Sequence, residues 1–186
     1  MAKIVGIDYG AKLSGNTVIA HYETNTIYFS QVQKKKDADA WLTDELAALQ
    51  AEIIYLDAPL SLPGAYYGKG ESYHYREADK QTKAMSPMFL GGLTARAMSL
   101  KASLRNLTFH EINPAFFQSE IVQSIHYKKD IDLFLHDLTK KEAFTLVKKP
   151  ENWHQVDALI ALLIGTRHQE NRHREIGSPT EGIIIV

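Results

Sequence analysis

The sequence predicts an α/β protein in which helices pack on a mixed β-sheet. Three observations carry that expectation. The first third of the chain reads strand, strand, strand, helix, strand. Short apolar strands carrying carboxylates recur further along. A helix that is apolar nearly all round lies towards the C-terminal end.

The first strand, Ile4-Val5-Gly6-Ile7-Asp8, is apolar and β-branched, and it breaks at Gly10. Asn16–Glu23 and Thr26–Val32 follow, joined by the turn-like Glu23-Thr24-Asn25. Asp37 or Asp39 then opens a helix with Trp41, Leu42, Leu46 and Leu49 on one face. Ile53-Ile54-Tyr55-Leu56-Asp57-Ala58-Pro59 returns as a short buried strand. A hairpin meander followed by a helix and a returning strand is what implies the mixed sheet. The segment 64–107 differs in composition, being rich in tyrosine and basic residues. Gly91-Gly92 separates two helices within it, the second striped by Leu93, Ala97, Leu100, Leu104 and Leu107. Phe109–Ile112 reads as a fifth strand, and Asn113-Pro114 as the cap and first position of a helix. The charged stretch 123–149 suits one or two surface helices. Asn152 caps the apolar helix, with Gln155 at capping-box spacing, and Ile183–Val186 can form a short last strand.

Bulk properties restrict the function classes. A chain of 186 residues fits one domain, and 45% hydrophobic with 23% charged residues is ordinary globular composition. No apolar run nears the ~18 residues of a membrane span, and the first residues show no secretory pattern, so a cytoplasmic protein without a membrane partner is expected. The absence of cysteine excludes disulfides and thiolate chemistry. A net charge of -1 gives no global attraction to nucleic acid, so a polyanionic partner would need a local basic surface.

Four acids sit inside or at the end of apolar elements: Asp8, Asp57, Glu111 and Asp157. An ionised acid in such a place is costly unless it is paired, hydrogen-bonded or metal-bound. Asp157 is too deep in its helix to cap it. Two carboxylates about 4 Å apart repel by about 4 kcal/mol at an effective dielectric of about 20. They therefore share a proton or bind a cation, and an all-oxygen set favours Mg²⁺ or Mn²⁺. A pair of such ions would clamp the attacking and leaving oxygens of a phosphodiester. Asp8 and Asp57 could instead serve the turns that follow them. Lys12, Arg76 and Arg96 are candidate phosphate contacts, although Arg76 and Asp79 could simply pair with each other. His154, on the same helix face as Asp157, could orient it.

Gly6-Ile7-Asp8-Tyr9-Gly10-x-Lys12 resembles the first motif of RNase H-like nucleases, especially the Holliday-junction-resolvase branch. Val156-Asp157-Ala158-Leu159-Ile160-Ala161 resembles that superfamily's last motif. Leu56–Pro63, Arg76-x-x-Asp79, Glu111-x-x-Pro114 and Glu181-Gly182 narrow the likeness to a bacterial and archaeal family of predicted nucleases, domain-of-unknown-function family four-two-nine. The resemblance implies an RNase H-like five-stranded sheet of order 3-2-1-4-5 with helices on both faces and a helical insertion after strand 4. It also implies Asp8, Asp57 and Asp157 around two Mg²⁺ or Mn²⁺ ions, with Glu111 an auxiliary ligand or a structural acid. Two departures stand out. The insertion has no counterpart in resolvases, and their second motif usually offers Glu where this chain has Asp57.

The function expected is metal-dependent hydrolysis of DNA or RNA, and a homodimer would suit a two-fold junction. One alternative is a non-catalytic RNase H-fold protein that binds a nucleotide or nucleic acid. Another is an ATP phosphotransferase half of the actin and sugar-kinase type, which shares the opening motif but needs two such folds.

Overall fold

The computed structural model describes residues 2–186. Seven strands form one mixed sheet: β1 (Ile4–Asp8), β2 (Val18–Glu23), β3 (Thr26–Gln31), β4 (Ile53–Asp57), β5 (Thr108–Ile112), β6 (Glu175–Ser178) and β7 (Gly182–Ile185). Their order is β3-β2-β1-β4-β5-β7-β6. The β1–β2, β2–β3 and β6–β7 pairs are antiparallel, whereas β1–β4, β4–β5 and β5–β7 are parallel.

The first five positions follow the expected order 3-2-1-4-5, but the count of five is corrected to seven. The C-terminal run Ile183–Ile185 adds β7 beside β5, and β6 pairs outside β7. The sequence of β6, Glu175-Ile176-Gly177-Ser178, holds one apolar residue. Pairing with β7, not hydrophobic alternation, makes it a strand.

Seven α-helices accompany the sheet: α1 (Ala38–Ala48), α2 (Glu77–Thr82), α3 (Pro87–Leu90), α4 (Gly92–Ser103), α5 (Pro114–Phe117), α6 (Ile131–Thr139) and α7 (Trp153–Gln169). Their starts follow the sequence signals. Asp37 accepts from the Asp39 and Ala40 amides, Asn113 from Phe116 N, and Asn152 from Gln155 N. Helices cover both faces. Leu42 and Leu46 of α1 and Ala97 and Leu100 of α4 pack on Val5, Ile7, Ile54 and Leu56. The α7 stripe, with Phe117, Phe134 and Leu138, packs on the other face with Ala20 and Tyr55. The segment 64–107 therefore contributes its leucine stripe to the core.

Helix α7 lies directly against β1. A Cβ at Gly6 would stand 2.1 Å from Leu162 N and 2.6 Å from Ala158 O. Only a residue without a side chain allows two backbones so close. The C-terminal end of α7 is fixed by edge-on contacts between imidazole rings. The His110 ring lies 4.6 Å from that of His168, which lies 4.3 Å from that of His173, and Tyr55 Oη is 2.8 Å from His168 Nδ1. Burial pushes the His110 pKa down to about 4, assisted by His168, Lys101 and His173 and opposed by Glu175.

Two outcomes follow from these contacts. Gly6→Ala drives a methyl into helix backbone and should cost at least about 3 kcal/mol in chemical denaturation, or prevent folding. The neutral imidazole of His110 is favoured by the fold, whereas the unfolded chain titrates near 6.5. Its contribution is full above that value and is lost as pH falls through about 4. Solvent screening leaves about 1 kcal/mol, or about 2–4 °C in thermal unfolding. His110→Phe, which retains the ring stacking, should flatten that acid limb.

Candidate functional site

Strand parity decides which acids meet. Ile53 and Tyr55 of β4 pack towards α7, while Ile54 and Leu56 pack on the opposite face. Asp57 therefore continues the α7 side. In β1 the same alternation sends Val5 and Ile7 away from α7 and leaves Gly6 and Asp8 beneath it. Asp8 and Asp57 are direct partners in the parallel β1–β4 register, at the C-terminal ends of both strands. Helix α7, seated on Gly6, carries Asp157 to the same place. All three acids line one cleft of about 920 Å³.

Each acid has a different environment. The Asp8 carboxylate lies 2.7 Å from His154 Nδ1. That hydrogen bond raises the His154 pKa above its ordinary value, against the opposing effect of burial. His154 thus orients Asp8, not Asp157. Tyr127 donates its hydroxyl to Asp157 at 2.7 Å, and the Lys128 ammonium pairs with the other Asp157 oxygen. Burial pushes the Asp157 carboxyl up, and Lys128 and Tyr127 work against that rise. Asp57 accepts no hydrogen bond from any described residue. Burial, then the charges of Asp8 and Asp157, hold its carboxyl well above the usual range, with only Lys128 opposing.

Tyr127 and Lys128 were not singled out by the sequence, because the stretch 123–149 shows no pattern marking them. Lys128 has φ of 60°, a left-handed conformation that a lysine rarely adopts. This backbone aims the Lys128 side chain at Asp157 beside the Tyr127 hydroxyl.

The fourth acid borders the same cleft but is held from the other side of the sheet. Phe109 packs on the face away from α7, and His110 stacks on Tyr55 and meets His168 edge-on on the α7 side, so Glu111 points away from α7. There it forms a buried cluster with Arg76, which is 0% exposed. Arg76 donates Nη1 to Glu111 Oε2 at 2.7 Å and Nη2 to Glu111 Oε1 at 2.6 Å. Nε and Nη2 also reach Asp79, and Leu60 N donates to Glu111 Oε2 at 2.8 Å. Burial opposes the Arg76 charge, yet the hydrogen bonds to Glu111 and Asp79 carry its pKa above that of a free arginine. Glu181 joins from the β6–β7 turn, accepting from Gly64 N at 2.8 Å and Glu77 N at 2.9 Å.

The expected phosphate contacts all have carboxylate partners. Arg76 is enclosed with Glu111 and Asp79. Arg96 grips Asp39 at 2.7 and 2.9 Å, donates to Gly10 O at 3.1 Å and lies over the Tyr9 ring. Lys12 pairs with Asp37 at 2.9 Å on the surface.

No protein-family model matches the chain, and a search of curated proteins finds no match.

The enclosed cluster yields a specific expectation. Arg76→Ala strands two buried carboxylates and should cost about 3–5 kcal/mol in denaturant unfolding. Glu111→Gln, which keeps the shape and loses one charge, should cost less.

Proposed function

We propose that the cleft hydrolyses phosphodiester bonds of DNA or RNA with divalent metal ions bound by Asp8, Asp57 and Asp157. The reading is supported above all by the convergence of these acids from β1, β4 and α7, in the order and on the elements that RNase H-like nucleases use. Among the described residues no group of three or more His, Asp or Glu side chains is arranged to hold a metal ion. The reason is local: Lys128 and Tyr127 hold Asp157, and His154 holds Asp8. The donor chemistry nevertheless fits a hard cation. The three acids supply only oxygen, and Asp57 keeps both oxygens free of described donors. Bound Mg²⁺ or Mn²⁺ would polarise the phosphodiester and activate water.

The remaining roles belong to the chain. Lys128, its side chain about half exposed at 46%, can swing away from Asp157 on its flexible stem and neutralise substrate phosphate. Tyr127 retains Asp157 in one rotamer as the lysine leaves. His154 keeps Asp8 oriented and carries a proton beside the cleft.

The Lys128–Asp157 contact also favours a second reading, a phosphate-binding protein without hydrolysis, in which the lysine is the permanent countercharge. One experiment separates the two. Mg²⁺- and Mn²⁺-dependent cleavage is measured on single-stranded, duplex and four-way-junction DNA and RNA, with Mn²⁺ affinity followed by calorimetry. Cleavage is expected, and Asp8→Asn should lower it by at least about 10³-fold and abolish Mn²⁺ binding, with unfolding temperature unchanged within a few degrees. Unchanged Mn²⁺ affinity in Asp8→Asn would remove Asp8 from the site. Absence of cleavage by the wild-type protein on every substrate leaves the binding reading.

A further inference from the structure

The insertion builds an aromatic and basic surface beside the acid cleft. Tyr66, Tyr67, Tyr73, Met85 and Phe89 are 45–64% exposed, although large apolar side chains usually lie inside. Several are held in place by one another. Tyr66 meets Tyr73 edge-on with ring centroids 5.5 Å apart, and Phe89 stacks on His74 at 5.8 Å and meets Tyr75 edge-on at 5.9 Å. Exposed rings already held by their neighbours lose little freedom when a further ring packs on them.

The exposed charges of the segment are mixed, Glu71 and Glu77 standing among the lysines, but three lysines are left without a close partner. Lys69, Lys80 and Lys83 are exposed and, among the described residues, have no carboxylate within salt-bridge distance. Two arginines of the same segment are consumed internally, Arg76 by Glu111 and Asp79 and Arg96 by Asp39, whereas Arg105 is exposed at the far end of α4. Lys83, Met85 and Leu90 line the same cleft as Asp8, Asp57 and Asp157. A polyanion held by the lysines is therefore led to the carboxylates.

We infer that this surface is a track for single-stranded nucleic acid, with unpaired bases stacking on Tyr73 and Phe89 and the backbone held by Lys69, Lys80 and Lys83. Exposed ring faces recognise bases only where these are unpaired, and unpartnered ammonium groups supply the sequence-independent part of the affinity. A duplex hides its base faces and gains only the charge contribution. The inference rests on reading the cleft as a phosphodiester site, since it names the substrate that reaches it. The binding groups themselves are separate from the acids.

The test is fluorescence anisotropy of the full chain in EDTA, so that no cleavage intervenes. Labelled oligo(dT) and oligo(rU) of about 20 nucleotides are compared with a duplex of the same length. The single strands should bind at least about tenfold more tightly than duplex, with the two sugar arms assigning DNA or RNA. Phe89→Ala and Tyr73→Ala should each weaken single-strand binding about tenfold. Lys83→Glu, at an exposed side chain where a folding defect is not expected, should weaken binding and reduce its salt dependence. Equal affinity for duplex and single strands, or wild-type affinity in all three variants, overturns the inference. Metal-dependent cleavage of duplex without single-strand preference would overturn the track and leave the nuclease reading standing. Single-strand binding with no cleavage under any metal would do the reverse.

Discussion

The seating of α7 on β1 at Gly6 is the contact on which the rest of the molecule depends. It brings helix and strand backbones closer than ordinary side chains would permit. Asp157 therefore lies beside the Asp8–Asp57 pair, not several ångströms above it. The same seating explains why α7 is apolar nearly all round, since the sheet takes one side and Phe117, Phe134 and Leu138 help to cover another. A helix with a wider polar stripe could not be enclosed in this way.

The protein treats its two groups of buried acids in opposite ways. On the face away from α7, Glu111 and Asp79 share one guanidinium, and Leu60 N and Arg76 N add donors, so the cluster is closed. On the α7 side three acids have one lysine, one imidazole and one phenol, and Asp57 has no described donor. Fully satisfied polar clusters rigidify a core, whereas partly satisfied ones hold charge in reserve. The contrast separates the closed cluster around Glu111 from the open group of Asp8, Asp57 and Asp157 on which the proposed chemistry rests.

Much of this was legible in the sequence, and the limits have physical causes. The mixed sheet followed from hairpin spacing and the returning strand, while the order of its first five strands was implied only by the resemblance. Helix starts followed from Asp37, Asn113 and Asn152 because capping is local chemistry. The three aspartates were found through their apolar surroundings alone. Glu111 has the same surroundings and yet faces the other way, because one residue of parity on β5 decides its side and parity depends on register. Tyr127 and Lys128 escaped notice because they act through one turn of irregular backbone. Strand β6 was missed because a neighbour makes it a strand. The pairing of Arg96 with Asp39 joins residues far apart in the chain, and no local pattern records it.

The Arg76 cluster has an evolutionary corollary. An insertion in a surface loop is ordinarily a cassette that lineages can lengthen, exchange or discard. The segment 64–107 has sent its arginine into the core of the sheet, where Glu111 on β5 requires it. Discarding the cassette would leave an anion in a dry interior, so loss of the loop and replacement of Glu111 must occur together or pass through an unstable ancestor. The aromatic and basic outer rim carries no such tie to β5. Changes at the rim therefore leave the charge balance of Glu111 untouched, whereas a change at Arg76 does not.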